Sequence, residues 1–145
     1  MAPPARSVCF VSGEPRAVPA MAGDQFLDFA NEMYVAVAEE AYLWELPTGS
    51  CDMEDDGPVQ HGPWRPEDCS AALLVWFDAG LLGLLRRWPE DEAVPSEQAA
   101  ELLRSPDEWV QRPDGSMNVA VVATTAGLAV PADDWVQALD VLHPA

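Results

Sequence analysis

The stretch PWRPEDCSAALLVWFDAGLLGLLRR, residues 63–87, determines how the rest of the chain can be arranged. Pro66 suits the first position of a helix, and the acidic residues after it complement the positive end of the helix dipole. From Cys69 onward apolar side chains recur at helical spacing, and further apolar neighbours leave little polar surface. The pattern predicts a buried helix that ends at Gly80 and leads into a short apolar strand at residues 81–85.

Further helices are predicted on both sides of this centre. An amphipathic pattern runs over residues 24–44, and Pro131 opens a last helix with an acidic first turn. Residues 95–104 have the pattern of a short helix, and a capping-box sequence at residues 105–108 predicts one more helical turn. The helix at residues 24–44 is expected to pack on the central helix, and the alternative is a free helix that binds a partner.

The strand patterns are shorter. NVAVVA at residues 118–123 predicts a strand, and residues 124–127 are expected to turn it into a return strand at residues 128–130. Residues 46–63 have the composition of a long acidic loop without periodicity. The predicted fold class is therefore α+β, mainly helical with a small antiparallel sheet. Residues 1–22, rich in proline and alanine, are predicted to be a flexible tail, and residues 23–145 a single domain.

The order of elements over residues 66–130 resembles a winged helix, a helix-turn-helix variant with a small sheet. The resemblance rests on element order alone and implies a winged-helix-like centre. It places residues 105–111 at the recognition-helix position and residues 123–128 at the wing, and neither segment contains a basic residue. Winged-helix DNA binders need phosphate and base contacts from those two elements. A scaffold of this kind is therefore expected to bind protein instead of DNA.

The charge of the chain restricts its partners. Seven basic residues, all arginine, stand against 25 acidic ones, which gives a formal net charge of −18. Such a field repels phosphate backbones and anionic lipid, so direct binding of nucleic acid or a membrane is not expected. It favours a basic protein, or a basic groove that normally holds nucleic acid. The alternative is that the acidity only keeps the protein in solution.

The composition also bears on origin and location. Lysine and isoleucine are absent while alanine, proline and arginine are abundant, which is typical of a GC-rich, bacterial genome. The first 23 residues lack the sustained apolar stretch of a secretion signal, and no apolar run is long enough to span a bilayer. A cytoplasmic location is therefore expected.

Cysteine and histidine offer two weak patterns for chemistry. Cys9, Cys51 and Cys69 are odd in number and contain no CxxC pair, so they predict neither a disulfide framework nor a zinc ribbon. Cys51, His61 and Cys69 fit no zinc spacing, and no orienting residue for a Cys–His nucleophile can be identified. No catalytic residue, metal ligand or cofactor site is predicted from them.

The acidic run begins like a calcium loop. Asp52, Glu54, Asp56 and Gly57 match early positions of an EF-hand, but Pro63 stands where the bidentate glutamate is needed. A solvated acidic loop is the better interpretation.

The six tryptophans fall into two groups. Four lie at core-facing helical positions and are interpreted as structural: Trp44, Trp76, Trp109 and Trp135. Trp64 and Trp88 lie in polar, proline-bearing segments. Tryptophan is frequent at binding hot spots, so Trp64, close in sequence to His61, is the candidate apolar anchor of an interface. The alternative is that Trp64 caps the core.

The preferred function is that of a non-enzymatic acidic protein-binding module, an adaptor, inhibitor, immunity-type protein or nucleic-acid mimic. The predicted partner-binding residues are Asp52, Glu54, Asp55, Asp56, His61 and Trp64. One alternative is a transcription-associated regulator that reads DNA through Arg86, Arg87, Arg104 and Arg112. Another is a small enzyme with its site in residues 51–69. The sequence does not identify the partner or the oligomeric state.

Overall fold

The computed structural model describes residues 16–143, and the predicted central helix lies in the middle of their fold. Within this part of the chain the α-helices are α1 (Gly23–Ala38), α2 (Pro66–Asp78), α3 (Ser96–Leu103), α4 (Thr125–Leu128) and α5 (Ala132–Ala138). Short 3₁₀ helices span Val18–Ala20, Leu43–Thr48, Pro106–Trp109 and Leu139–Leu142. The strands are β1 (Ser50–Glu54), β2 (Gly57–His61), β3 (Leu82–Arg86), β4 (Glu92–Ala93) and β5 (Val119–Ala123). The predicted class, α+β and mainly helical, is confirmed.

Two antiparallel sheets accompany the helices. In the larger sheet β3 lies between β4 and β5, with Leu82 opposite Ala123 and Arg86 opposite Val119. The smaller sheet is the hairpin of β1 and β2. The apolar run after α2 is a strand, as the sequence predicted, and the structure places it in the middle of the larger sheet.

Helix α2 has the predicted bounds and the predicted burial. Cys69, Leu73 and Trp76 are fully buried at helical spacing. Gly80 ends the segment with a positive φ of 77°, a conformation that costs glycine little. The indole N–H of Trp76 donates to the backbone carbonyl of Trp135 at 2.8 Å, which joins α2 to α5.

Helix α1 is shorter than predicted. It ends at Ala38 because Glu40 takes a left-handed conformation with φ of 56°. The amides of Glu40 and Ala41 then donate to the carbonyls of Val37 and Ala36, the paired bonds of a Schellman motif. The apolar residues that follow belong to a separate 3₁₀ helix.

The prediction of a long loop at residues 46–63 was wrong. Most of it is the β1–β2 hairpin, paired from Ser50 opposite His61 to Glu54 opposite Gly57. Both strands are short and largely polar, so they show no apolar alternation of the kind that marks a strand.

The predicted return strand at residues 128–130 was also wrong. Thr124 instead caps α4, since its hydroxyl accepts the amide N–H of Gly127 at 3.0 Å and donates to the carbonyl of Gly80 at 2.6 Å. This pins the segment to the end of α2 and directs it away from the sheet. The wing of a winged helix is therefore missing, and the resemblance fails at that element.

The predicted flexible tail, residues 1–22, is only partly within the described residues. Residues 1–15 lie outside them. Val18 and Met21 are buried, and the amide of Val18 donates to the Asp68 carboxylate at 3.1 Å. Burial raises the pKa of Asp68. Residues 16–22 are therefore part of the folded domain, contrary to the prediction.

Between residues 16 and 143, no helix combines the length and the apolar character that crossing a membrane requires.

Candidate functional site

The β1–β2 hairpin, hereafter the acidic hairpin, displays the four predicted carboxylates. Register pairing leaves Asp55 and Asp56 as its two-residue turn. Their side chains and those of Asp52 and Glu54 are exposed. Because these residues form a hairpin, they do not make the continuous twelve-residue loop of an EF-hand. The arrangement concentrates negative charge on one short hairpin.

His61 joins the hairpin to helix α1. Its Nδ1 lies 2.7 Å from a carboxylate oxygen of Asp28, and its Nε2 lies 2.9 Å from one of Asp52. Both ring nitrogens can donate only when the imidazole carries its second proton. The geometry therefore favours the charged histidine, which reduces its availability as a contact for a partner.

The pKa of His61 is raised above its ordinary value. Partial burial by itself lowers this pKa, but the hydrogen bond and charge of Asp28 oppose it, and Glu32 and Asp52 add to the increase. The nearby carboxylates stabilise the protonated imidazolium by more than partial burial destabilises it.

We expect the attachment of the hairpin to weaken as the pH rises. Because the pKa of His61 is raised in the folded protein, its stabilisation is complete below the unfolded pKa of about 6.5 and is lost as the pH passes the folded pKa. NMR titration of the His61 ring and hydrogen exchange of the hairpin amides between about pH 6 and 9 measure this effect. His61→Gln should abolish the pH-dependent step, whereas the control His143→Gln should retain it. A His61 pKa at or below the unfolded value contradicts the prediction.

Trp64 does not lie on the surface. Its side chain is 3% exposed and meets the ring of Phe29 edge to face at 5.2 Å. Among the described residues its indole N–H has no hydrogen-bond partner. The anchor role expected for Trp64 is therefore corrected, because its apolar area is already buried against α1. Its position matches the alternative interpretation, a cap on the core.

A second surface, which we call the aromatic cleft, was not predicted. It has a volume of about 350 Å³ and is lined in part by Tyr42, Trp44, Trp88, Gln111, Asp114 and Asn118. The rings of Tyr42 and Trp44 are nearly parallel, with 9° between their planes and 6.3 Å between their centroids. Trp88 is 65% exposed. Tryptophan and tyrosine that remain accessible in one cleft are typical of binding surfaces.

The backbone around the cleft is held by the larger sheet. The amide of Arg87 donates to the carbonyl of Asn118 at 3.0 Å, which extends the pairing of β3 with β5. The side-chain amide of Asn118 donates in turn to the carbonyl of Trp88. On the opposite side, the amide of Tyr42 donates to Glu45 at 2.9 Å. The aromatic residues are thus presented from fixed backbone positions.

The predicted core role of Trp44 is only partly correct. Trp76, Trp109 and Trp135 are fully buried, whereas Trp44 is half-buried and faces the cleft. No sequence signal brings Trp44 and Trp88 together, because their proximity depends on the pairing of β3 with β5.

The cysteines and the second histidine have structural positions. Cys51 takes part in a disulfide bond, and burial raises the pKa of the Cys69 thiol far above its ordinary value. Neither is a free, activated thiol. His143 stacks on Phe26 at 4.5 Å, and its Nε2 lies 2.8 Å from the carbonyl of Met21. Residues 16–143 contain no cluster of three histidine, cysteine or acidic side chains arranged for a metal ion.

Three of the arginines proposed for DNA reading have partners within the chain. Arg87 contacts Glu40 at 3.1 Å and Asp91 at 3.8 Å. Arg86 donates to Asn118, and Arg112 to the carbonyl of Glu108, both at 3.4 Å. The two carboxylates offset the charge of Arg87, and the hydrogen bonds of Arg86 and Arg112 direct their guanidinium groups to acceptors within the chain.

Comparisons of the chain with protein-family models, curated proteins and solved structures find no match.

Proposed function

We propose that this protein is a non-enzymatic binding module that docks the acidic hairpin onto a basic protein, as an adaptor, inhibitor, immunity-type protein or nucleic-acid mimic. The observation that carries the proposal is the exposure of four carboxylates on one short hairpin of a chain with net charge −18. A partner groove that normally holds nucleic acid has the complementary charge.

The hairpin suits this role because its charges are close together and solvent-facing. Asp55 and Asp56 occupy the turn, and both side chains are exposed. Clustered charge accelerates association with an oppositely charged surface, and salt weakens that acceleration within a Debye length of about 8 Å at physiological ionic strength. The expected signature is an association rate that falls steeply with salt.

Neutralising the hairpin should slow association with the basic protein recovered by affinity capture. The hairpin variant combines Glu54→Gln, Asp55→Asn and Asp56→Asn, and leaves Asp52 in place because it contacts His61. We expect its association rate constant to fall about tenfold at low salt, with a smaller difference at high salt. Surface-based binding kinetics at several salt concentrations measure both.

The control removes the same charge elsewhere. Glu97→Gln, Glu101→Gln and Asp107→Asn neutralise three exposed carboxylates away from the hairpin, and this control variant should lose much less of the association rate. Equal losses in the two variants contradict a localised docking site. Binding that does not change with salt contradicts the electrostatic mechanism itself.

The two alternative functions have weaker support. A DNA-reading regulator lacks the expected wing, and Arg86, Arg87 and Arg112 are engaged within the chain. A gel shift with duplex DNA at low salt tests it. An enzyme site around Cys51 and His61 is weakened because Cys51 is in a disulfide and both nitrogens of His61 face carboxylates. Metal analysis and thiol alkylation test that alternative.

A cytoplasmic location remains part of the proposal. Disulfides are rarer in the cytoplasm than in oxidising compartments, so the bonded state of Cys51 argues in the other direction. Cell fractionation with detection of the free thiols decides between the two locations.

A further inference from the structure

The aromatic cleft combines three features that are not part of the docking hairpin. Two nearly parallel rings, Tyr42 and Trp44, lie on one side, and the indole of Trp88 contributes an exposed face. Asp114 brings a carboxylate to the same cleft. The backbone N–H of Ser116 lowers the pKa of Asp114, so this carboxylate stays ionised at neutral pH.

From this arrangement we infer that the aromatic cleft is a binding site for an arginine side chain of the basic partner. The inference rests on the proposed function, since it takes the partner to be a basic protein. It adds a second contact and a chemical preference. The hairpin recognises positive charge in general, whereas the cleft selects the guanidinium group.

The guanidinium group matches the cleft in shape and charge. It is planar and weakly hydrated, so it stacks on aromatic faces while its N–H groups donate to a carboxylate. Trp44 and Trp88 supply the faces, and Asp114 supplies the acceptor. A lysine ammonium has no plane to stack and is more strongly hydrated, so it gains less in the same place.

The arginines of the chain itself do not fill this role. Arg86 and Arg87 directly precede Trp88 in the sequence. Arg86 donates to Asn118, however, and Arg87 contacts Glu40 and Asp91. Arg112 also acts on Asp114 through its charge, but its guanidinium donates to the carbonyl of Glu108 and to the hydroxyl of Ser116. One oxygen of Asp114 accepts the backbone N–H of Ser116, and the side chain is exposed to a ligand.

Charge also favours a cation over a nucleobase. An exposed tryptophan can stack on a base, but single-stranded nucleic acid also needs a positive groove along its backbone. The net charge of −18 opposes that, and the nearby arginines have partners within the chain. The same net charge attracts an arginine-bearing peptide from a distance.

Two peptides of equal charge test the inference. One carries four arginines separated by glycines, and the other carries four lysines at the same positions. Each is titrated into the full chain labelled with ¹⁵N, and the indole N–H signals are assigned with Trp44→Phe and Trp88→Ala. We expect the arginine peptide to shift the signals of Trp44 and Trp88 and to bind more tightly than the lysine peptide.

Substitutions in the cleft should remove this preference. Trp88→Ala should weaken binding of the arginine peptide about three- to tenfold, the range of a partly exposed cation–π contact. Asp114→Asn should weaken it by a smaller factor, and the exposed control Val110→Ala should have no effect. Unfolding curves of Trp88→Ala and Asp114→Asn should match the parent, because both side chains are exposed.

The outcomes separate this inference from the proposed function. If both peptides bind equally, and the Trp44 and Trp88 signals do not move, the cleft inference is overturned. The docking proposal still holds in that case if both peptides bind the hairpin variant more weakly than the parent. If the arginine peptide moves these signals while the hairpin variant binds normally, docking by the hairpin fails and the cleft inference stands. Equal shifts with a thymidine oligonucleotide overturn the arginine assignment, because they indicate base stacking.

Discussion

Replacing Trp135 by alanine should lower the free energy of unfolding by about 3–5 kcal/mol, because a large buried side chain is lost and a cavity is left. Trp135 is 1% exposed. Its ring meets Trp76 edge to face at 5.1 Å and Tyr34 at 5.5 Å, so three helices depend on it. Its indole N–H also donates to the carbonyl of Gly127 at 3.1 Å. A loss of this size is a large part of the stability of a domain.

Chemical denaturation followed by circular dichroism measures the loss, with Trp88→Ala as the matched control. Trp88 is 65% exposed, so its removal should change the free energy of unfolding by no more than about 0.5 kcal/mol. Both substitutions remove the same atoms, and only their surroundings differ. Similar losses from the two variants contradict the placement of Trp135 at the centre of the core.

The sequence predicted those parts of the fold in which local pattern and burial agree. Helix α2 has apolar residues at helical spacing, proline at its first position and glycine after its end, and all three signals point to the same bounds. The strand after it and the strand at residues 119–123 were found because β-branched or apolar runs are short and bounded by turn residues. Several local signals that agree are enough to predict such elements without knowledge of the tertiary contacts.

The acidic hairpin could not be predicted in the same way. Its strands contain Asp52, Glu54 and Pro58, residues that are rare in strands, and its attachment to α1 depends on His61 and Asp28, which are 33 positions apart. The four carboxylates were recognised from composition, but the placement of two in β1 and two in the turn follows from a register that composition does not encode. Trp64 was misjudged for a related reason, since its burial depends on Phe29 in a distant helix.

The aromatic cleft was even harder to predict from the sequence than the hairpin. Tyr42 and Trp44 precede the hairpin, Trp88 follows β3, and Asp114 precedes β5. The pairing of β3 with β5, the isolated bridge between Tyr42 and Ala120, and the hydrogen bonds of Asn118 with Arg87 and Trp88 bring these segments together. The composition gives the number of tryptophans but not which of them share a surface.

Replacing Gly127 by alanine should be about as damaging as a large cavity, through the opposite mechanism. A Cβ atom there would lie 2.0 Å from the carbonyl oxygen of Leu81 and 2.8 Å from the Trp135 ring. The carbonyl of Leu81 is held in place because it accepts the amide of Thr124 at 2.9 Å, so it cannot move aside without breaking that bond. We expect a loss of about 3 kcal/mol in the free energy of unfolding, the upper end of overpacking costs.

Gly83→Ala is the control for this prediction. Gly83 lies in β3, where a Cβ atom would meet nothing within 4 Å, and replacing glycine by alanine within a strand stabilises by roughly 0.5–1 kcal/mol. The two substitutions add the same methyl group and should change stability with opposite signs in the same denaturation experiment. A Gly127→Ala protein as stable as its parent would show that α4 does not pack on the end of α2 as described.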